Sequence, residues 1–312
     1  MASSFQVAVS GMLAQQDKMS VIGNNIANSR TTGFKASSLT FTEEFVSQGG
    51  QFINGTLNQF GSGVKSSGVN VDWGDGAIEP TSLASNIAVA GSGFFPVVYQ
   101  DELHYTRAGD FAIVADPNDP NQFFFQRPNG AVLVGNNPTN VDPPVIEATP
   151  EKPVAANFVT FRRVSGDGAV LTPADSGLPG YGAAPSSFEI GPDGTISALP
   201  IPVSTADGGP ISGIEVVNPL VATQQFNNPD SLMRIEGGLY RKTSLTSVAT
   251  LIPEQPGQGS AGTLVQGALE NSNVDLVTEF TSMIITQRSF QANSKTITTA
   301  DEMMQTVMNL KR

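Results

Sequence analysis

Few residues in this sequence are of the types that catalyse reactions or bind transition metals. His104 is the only histidine, and there is no cysteine. The lack of cysteine excludes disulfides, thiolate metal sites and cysteine nucleophiles. A Ser–His–Asp triad would have to use His104, and one histidine among many serines and aspartates is no evidence for such a triad. We therefore expect no catalytic site and no transition-metal site.

Acidic residues and glycines are the remaining candidates for chemistry. Asp116-Pro-Asn-Asp-Pro-Asn121 offers oxygen ligands but lacks the spacing and closing glutamate of a calcium loop, so it is interpreted as a turn. Glu43-Glu44 and Asp301-Glu302 could act as acid–base pairs, but they lie in or beside segments with a helical pattern and are interpreted as solvated surface. Gly91-Ser-Gly93 does not open a helix, which argues against a phosphate-binding loop. The sequence thus predicts a protein that is not an enzyme and needs no cofactor or metal.

The charge balance limits the partners of the chain. Its 28 acidic and 16 basic residues give a formal net charge of −12. Nucleic acids and anionic membrane surfaces both attract cationic proteins, so we expect neither as a partner. The sequence contains no run of 18 apolar residues, so no membrane insertion is expected. Lys18 follows the first apolar residues instead of preceding them, so we expect no Sec signal peptide.

Both ends of the chain have a helical pattern in which apolar residues recur at alternating spacings of four and three. One helix is expected from Phe5 to Ile26, and another from Ser272 to about Asn309, where glycine and proline are absent. A helix of about 35 residues spans about 50 Å and needs a partner, either the N-terminal helix or a neighbouring subunit. The residues expected to make these contacts are Phe5, Val9, Met12, Met19 and Ile26 in the first helix and Leu276, Phe280, Met283, Phe290, Ile297 and Met304 in the second.

A cluster of asparagines follows the first helix. Asn24, Asn25 and Asn28 offer side-chain hydrogen bonds that compete with the helix and end it. Gly33 can adopt a positive φ, and Phe34 then places an apolar anchor directly after the turn. We expect this junction to fix how the terminal helix joins the next part of the protein.

The residues between the two helices have the pattern of short strands separated by turns. We predict an α+β fold, in which long terminal helices pair as a coiled-coil-like inner domain and a mainly β outer domain contains a small β insertion. Segment 105–114 is expected to be a hairpin or a strand with a bulge, and Asn129-Gly130 to be the turn of another hairpin. The predicted division is 1–30 with 271–312 as the helical domain, 31–72 with 240–270 as an extended connector, 73–135 with 186–239 as the β domain, and 136–185 as a small inserted β subdomain.

Motifs at both ends of the chain and in its middle resemble those of the flagellar rod and hook proteins. The N-terminal motifs are Ser10-Gly11, Gly23-Asn-Asn-Ile-Ala-Asn28 and Thr32-Gly-Phe-Lys35. The C-terminal motifs are Gly267-Ala-Leu-Glu-Asn-Ser-Asn-Val-Asp-Leu276, Gln287-Arg-Ser-Phe-Gln-Ala-Asn293 and Thr298-Thr-Ala-Asp-Glu-Met303. The middle motifs are Ile87-Ala-Val-Ala-Gly-Ser-Gly-Phe-Phe95, Tyr105-Thr-Arg-Ala-Gly-Asp-Phe111 and Phe226-Asn-Asn-Pro-Asp-Ser-Leu232. These matches lie in order and cover about half of the chain.

Within that family, the segments 272–276 and 290–294 look most like the hook subunits. The chain is short for a hook subunit, however, and somewhat long for a distal rod subunit. Because of those two segments, we expect a hook subunit, which transmits torque from rod to filament and acts as a flexible universal joint. The alternative is a distal rod subunit, which acts as a rigid drive shaft.

The resemblance also implies how such a subunit reaches its place and what it binds. Subunits of this family leave the cell as unfolded chains through the type III export apparatus, without a cleaved Sec signal. Their terminal helices become ordered when copies assemble into a helical tube, because association supplies the burial that a lone amphipathic helix lacks. The expected partners are further copies of the chain and the flagellar rod, hook-cap and hook–filament junction proteins.

Overall fold

The computed structural model describes residues 2–45, 52–53, 56–57, 61–116, 119, 121–136, 158–164, 188–198, 213–217, 220–246, 255–257 and 261–310. They form two compact units. Unit 1 lies within Met1–Arg30, Lys35–Gly74 and Asn273–Arg312, and unit 2 within Thr31–Phe34 and Asp75–Ser272. Unit 1 contains the two α-helices, and unit 2 is built mainly from strands. The predicted α+β class is therefore confirmed.

Two helices, α1 (Ala2–Ala27) and α2 (Leu276–Leu310), form the helical part of unit 1 and pack against each other. The start of α2 differs from the expectation, because the helix begins four residues after Ser272. Asp275 caps it: its carboxylate accepts hydrogen bonds from Thr278 Oγ1 at 2.6 Å and from Val277 N at 3.0 Å. These bonds, that from Thr278 above all, lower the pKa of the Asp275 carboxyl below its ordinary value.

The strands of unit 1 follow α1 along the chain. Strands β1 (Ser37–Phe45) and β4 (Gly61–Val71) pair antiparallel and contact α1, while β2 (Phe52–Ile53) pairs with β3 (Thr56–Leu57). The interpretation of Glu43-Glu44 as part of a helical surface is wrong, because both residues lie in β1, where they are exposed. Residues 46–51, 54–55 and 58–60 of the predicted connector lie outside the described residues.

Unit 2 contains seventeen short strands and two 3₁₀ turns among its described residues. The strands are β5 (Ile78–Pro80), β6 (Ile87–Ala90), β7 (Phe95–Tyr99), β8 (Glu102–Thr106), β9 (Ala112–Ala115), β10 (Gln122–Gln126), β11 (Val132–Leu133), β12 (Gly135–Asn136), β13 (Thr160–Val164), β14 (Phe188–Ile190), β15 (Ile196–Ala198), β16 (Gly213–Val217), β17 (Leu220–Val221), β18 (Met233–Ile235), β19 (Leu239–Arg241), β20 (Thr263–Gln266) and β21 (Ala268–Glu270). The 3₁₀ turns are Pro229–Ser231 and Glu236–Gly238. The main sheet has the order β16-β13-β10-β11-β7-β8-β19-β18, with β9 also paired to β10, and the smaller pairs are β12-β17, β14-β15, β20-β6 and β21-β5.

One of the two predicted hairpins is present in the structure. The turn at Asn129-Gly130 joins β10 to β11, where Gln126 pairs with Val132 and Gly130 has a φ of 90°, so this prediction is confirmed. The prediction of a hairpin at 105–114 is wrong, because β8 and β9 do not pair with each other. β8 pairs with β7 and β19, whereas β9 pairs with β10. Between β8 and β9 the chain instead bonds to β6, since Ile87 N donates to Gly109 O at 3.0 Å.

The segment predicted as an inserted subdomain is described only in part. Its strand β13 pairs with both β10 and β16 and therefore lies within the main sheet. Residues 137–157 and 165–187 lie outside the described residues.

The core of unit 2 is apolar and rich in aromatic rings. Phe111 makes edge-to-face contacts with Phe95 at 5.6 Å and with Phe125 at 6.3 Å between ring centroids. Burial of such side chains is the main source of stability in a strand-rich unit. The fully or nearly fully buried apolar residues of this core include Ile87, Val89, Phe95, Val97, Phe111, Phe123, Phe125, Ala131, Leu133, Val159, Phe161, Val221, Leu239 and Leu264.

Two buried tyrosines make unit 2 sensitive to alkaline pH. Burial raises the pKa of Tyr105 to about 12 and also raises the pKa of Tyr240. Because folding favours the neutral phenols, their stabilisation is complete below pH 10 and is lost as the pH rises towards 12. We expect the free energy of unfolding to fall by about 3 kcal/mol through Tyr105 alone, and less in Tyr105→Phe. Urea unfolding at each pH measures the free energy of unfolding. Tyr99→Phe is the control, because Tyr99 is only half-buried. If the free energy of unfolding depends on pH in the same way in Tyr105→Phe and in the parent, the prediction is wrong.

Candidate assembly surface

Helix α1 ends inside the asparagine cluster. Both the backbone N and the side-chain Nδ2 of Asn28 donate to Asn24 O, at 3.1 and 3.0 Å. Asn28 thus donates hydrogen bonds to a carbonyl oxygen of the last turn, where carbonyl groups lack partners within the helix. The side chain of Asn24 is exposed, whereas Asn28 is half-buried.

Asn25 joins three elements of unit 1. Its side chain is only 1% exposed. Nδ2 donates to Ser37 O at 2.7 Å and to Glu279 Oε1 at 2.9 Å, and Oδ1 accepts from Ser37 N at 2.9 Å. Asn25 therefore links the end of α1 to the start of β1 and to the first turn of α2. All three bonds are buried or partly buried, so breaking them leaves polar groups unsatisfied.

A second asparagine, Asn273, makes a matching connection just before α2. Its Oδ1 accepts from Ala36 N at 2.7 Å, and its Nδ2 donates to Asp72 O at 2.9 Å and to Gly74 O at 3.1 Å. The fully buried Lys35 also donates to Gly74 O, at 2.8 Å. Asn273 was not among the residues predicted to matter for assembly. Its partners lie about 200 positions away, so no local pattern indicates them.

Gly33 and Phe34 lie in unit 2. Gly33 has a φ of 65°, and its N donates to Glu270 O at 2.8 Å. A Cβ on Gly33 would lie 2.6 Å from Ala108 N, so only glycine fits both the conformation and the space. Phe34 is half-buried, and the guanidinium of Arg234 lies 4.7 Å from its ring centroid.

The buried residues of α1 lie beside the predicted seam, and three of the five are alanine or glycine. In the described part of α1, the buried residues are Ala8, Gly11, Ala14, Ile22 and Asn25. The predicted residues Val9, Met12, Met19 and Ile26 are half-buried, and Phe5 is 46% exposed. In α2, the predicted residues Met283 and Ile297 are half-buried and Leu276, Phe280, Phe290 and Met304 are exposed, while the buried residues are Thr286 and Ala300.

The helices approach each other closely at Gly11. A Cβ at Gly11 would lie 2.7 Å from Asn293 Nδ2, whereas a Cβ at Gly23 would meet nothing within 4 Å.

We therefore expect Gly23→Ala to stabilise α1 by up to about 1 kcal/mol, because alanine favours the helix. The matched Gly11→Ala change should gain less or lose stability, and Asn293→Ala should restore the gain. Thermal unfolding followed by circular dichroism measures both variants, and equal effects at the two glycines would contradict the close approach.

Helix α2 exposes a large apolar surface. The exposed large apolar residues on α2 are Leu276, Val277, Phe280, Ile284, Ile285, Phe290, Met303, Met304, Val307, Met308 and Leu310. They are more than half of all such residues in the described part of the chain. Exposed apolar side chains in such number on one helix are typical of a site of association. The arrangement can therefore bind other protein chains along α2.

The formal charge is divided unequally between the units. Unit 1 has eight acidic and eight basic residues, whereas unit 2 has 20 acidic and eight basic residues. The whole net charge of −12 therefore belongs to unit 2. Copies of unit 1 can approach one another without net repulsion.

The residues considered for chemistry have structural partners. His104 is buried in β8, with Nδ1 3.0 Å from Glu102 O. Asp119 accepts hydrogen bonds from Asn121 N at 3.0 Å and from Gln122 Nε2 at 2.9 Å, as a turn requires. Within the described ranges there is no group of three or more His, Cys, Asp or Glu that could hold a metal ion. Neither of the two described helices is long and apolar enough to cross a membrane.

Comparisons with known proteins point to flagellar proteins. Residues 5–35 match the family model described as flagella basal body rod protein, and residues 265–310 match that of the flagellar basal body rod FlgEFG protein C-terminal domain. The flagellar basal-body rod protein FlgG of Bacillus subtilis is 35% identical over 320 positions, which cover 100% of both chains. The flagellar hook protein FlgE of Escherichia coli is 26% identical over 416 positions, covering 99% of this chain and 100% of its own. The FlgE of Caulobacter vibrioides is 34% identical over 182 positions, covering 56% of this chain and 30% of its own.

Proposed function

We propose, because the chain belongs to the family of flagellar basal-body rod and hook proteins, that it polymerises with copies of itself into the axial tube of the flagellum as a rod subunit. Membership of this family makes it a structural protein of the flagellum. The observation that supports a rod subunit is the alignment with the Bacillus rod protein, which is 35% identical and covers 100% of both chains.

The length of the chain also favours a rod subunit over a hook subunit. The alignment with the Escherichia hook protein has 416 positions, so at least a hundred residues of that protein face gaps in this 312-residue chain. The expectation of a hook subunit therefore becomes the second candidate. It is supported by the resemblance of segments 272–276 and 290–294 and by the 34% identity with part of the Caulobacter hook protein.

The exposed apolar surface of α2 supports the mode of assembly. In this proposal, neighbouring copies cover Phe280, Ile284 and the other exposed apolar residues, and the terminal helices pair as a coiled-coil-like inner domain. The predicted large apolar residues of α1 and α2 are only half-buried or exposed within one chain, so their further burial is left to association. A tube that grows without closing requires two different surfaces on each subunit.

The remaining features of the proposal follow from the same family. The chain acts as a structural part and not as an enzyme. It contacts adjoining rod proteins at the ends of its own polymer, and as a hook subunit it would also contact the hook-cap and hook–filament junction proteins. It leaves the cell through the type III export apparatus without a cleaved Sec signal. The division into a helical domain, a connector, a β domain and an inserted subdomain also stays a proposal.

Electron microscopy of the purified chain tests this function. We expect tubes from the full chain and soluble monomers from a version that lacks residues 1–30 and 272–312. Straight tubes would support a rod subunit, and curved tubes a hook subunit. Failure of the full chain to polymerise at high concentration would contradict the proposal.

A point variant makes the test specific to the exposed face of α2. Ile284 is 58% exposed, so replacing it with aspartate should leave the monomer folded but raise the critical concentration for assembly by about tenfold or more. Gln287→Asp is the matched control, because Gln287 is polar and exposed on the same helix. Equal assembly of the Ile284→Asp variant and the parent would show that this face is not the interface.

A further inference from the structure

The methionines of the chain are concentrated at one end of α2. Three of the eight methionines are Met303, Met304 and Met308, and they are 56%, 45% and 67% exposed. Every residue from 301 to 310 is exposed, so the rest of the described residues do not cover this end of the helix. Met304 and Met308 lie one turn apart on the same face, and Met303 lies beside the similarly exposed Val307 row. Together these residues, which we call the methionine end, form an apolar surface whose main reactive atoms are thioether sulfurs.

The other described methionines are placed differently. Met12, Met19 and Met283 are half-buried in unit 1. Met233 is 51% exposed in unit 2, and its sulfur lies 3.8 Å from the Arg241 guanidinium. Exposure favours oxidation, because the oxidant must reach the sulfur. Met233 therefore provides an exposed comparison outside the helices.

We propose that the methionine end is an oxidation site that controls association, so that peroxide acting on the free chain blocks its entry into the polymer. Each thioether sulfur takes the terminal oxygen of a hydroperoxide as the O–O bond breaks. The sulfur loses two electrons and becomes a sulfoxide, and the peroxide is reduced to water or an alcohol. The reaction turns a flexible apolar side chain into a polar one.

The effect on assembly follows from burial. A sulfoxide oxygen is a strong acceptor, and moving it into an apolar contact without a donor is unfavourable. The inference rests on the proposed function, because it assumes that neighbouring copies cover the methionine end. It goes further in stating when the chain can be oxidised. The three sulfurs are accessible to peroxide before assembly and are buried afterwards.

Peroxide treatment of the full chain tests the inference in two measurements. Mass spectrometry of peptides should show sulfoxide at Met303, Met304 and Met308 forming several-fold faster than at Met12, Met19 and Met283 in the free chain, and far more slowly in preformed tubes. Treatment before assembly should raise the critical concentration by about tenfold. Methionine sulfoxide reductases should reverse the rise.

Leucine variants identify the residues responsible. In the Met303→Leu, Met304→Leu, Met308→Leu triple variant, the critical concentrations of treated and untreated protein should be the same. The Met233→Leu control should keep the full response to peroxide. An equal critical concentration of treated and untreated parent chain would overturn the inference, as would a full response in the triple variant. Absence of tubes from the untreated parent chain would contradict the proposed function instead.

Discussion

Replacing Asn25 by aspartate is expected to abolish assembly at neutral pH. Nδ2 of Asn25 donates to Ser37 O at 2.7 Å and to Glu279 Oε1 at 2.9 Å, and a carboxylate can donate to neither. It would also place a negative charge beside Glu279 at a position that is 1% exposed. Two lost hydrogen bonds and a buried repulsion cost about 3–5 kcal/mol, which corresponds to more than about a hundredfold in an equilibrium constant. Sedimentation of polymer over a range of concentrations measures the change.

The neighbouring Asn24 provides the control for this substitution. Asn24→Asp introduces the same charge one residue earlier, where the side chain is exposed. Its Oδ1 already accepts a hydrogen bond from Asn28 Nδ2 at 3.3 Å, which an aspartate can also accept. We expect assembly of Asn24→Asp within about threefold of the parent, since exposed charges interact weakly. Similar losses in both variants would show that charge alone, and not the bonds of Asn25, limits assembly.

Replacing Arg107 by leucine is expected to destabilise unit 2 by about 3–5 kcal/mol. The Arg107 side chain is 4% exposed, and its NH1 donates to Gly91 O at 2.8 Å and lies 3.6 Å from both Glu270 Oε2 and Asp75 Oδ1. Leucine would leave the buried carboxylate of Glu270 without this cation. Since domains are stable by only about 5–15 kcal/mol, urea unfolding should show a large shift of the midpoint.

Two further variants separate charge from packing at Arg107. Glu270→Gln in the Arg107→Leu background should recover at least about 1 kcal/mol, because it removes the buried charge while its Oε1 can still accept from Gly76 N. Arg241→Leu, which breaks an exposed pair with Glu102 at 3.8 Å, should change stability by less than about 1 kcal/mol. If the double variant is no more stable than Arg107→Leu, the loss comes from packing and not from the charge.

The sequence predicts the secondary structure of this protein better than its tertiary contacts. The apolar spacing from Phe5 to Ile26 locates α1, and Asn129-Gly130 locates a hairpin, because both depend on neighbouring residues. The hairpin alternative for 105–114 is wrong because the partners of β8 and β9, which are β7, β19 and β10, are set by the whole sheet.

The candidate surface shows the same limit. Asn25 was noted for ending a helix, but its bond to Glu279 joins residues 254 positions apart, and nothing near Asn25 in the sequence indicates it. The spacing of apolar residues in α1 also suggested a seam of large side chains. Within one chain those large residues are half-buried or exposed and the buried positions include Ala8, Gly11 and Ala14, so the seam stays a prediction for the assembled state.

The unequal division of charge has a consequence for the polymer as a material. Every copy added to a tube would bring a net formal charge of −12, all of it from unit 2. A tube of this protein would therefore be a polyelectrolyte, around which cations would collect as they do around other densely charged polymers. Neighbouring tubes repel one another over a Debye length of about 8 Å at physiological ionic strength and so stay dispersed. Added salt should promote bundling of tubes without tightening the contacts within one, because the charges of unit 1 already cancel.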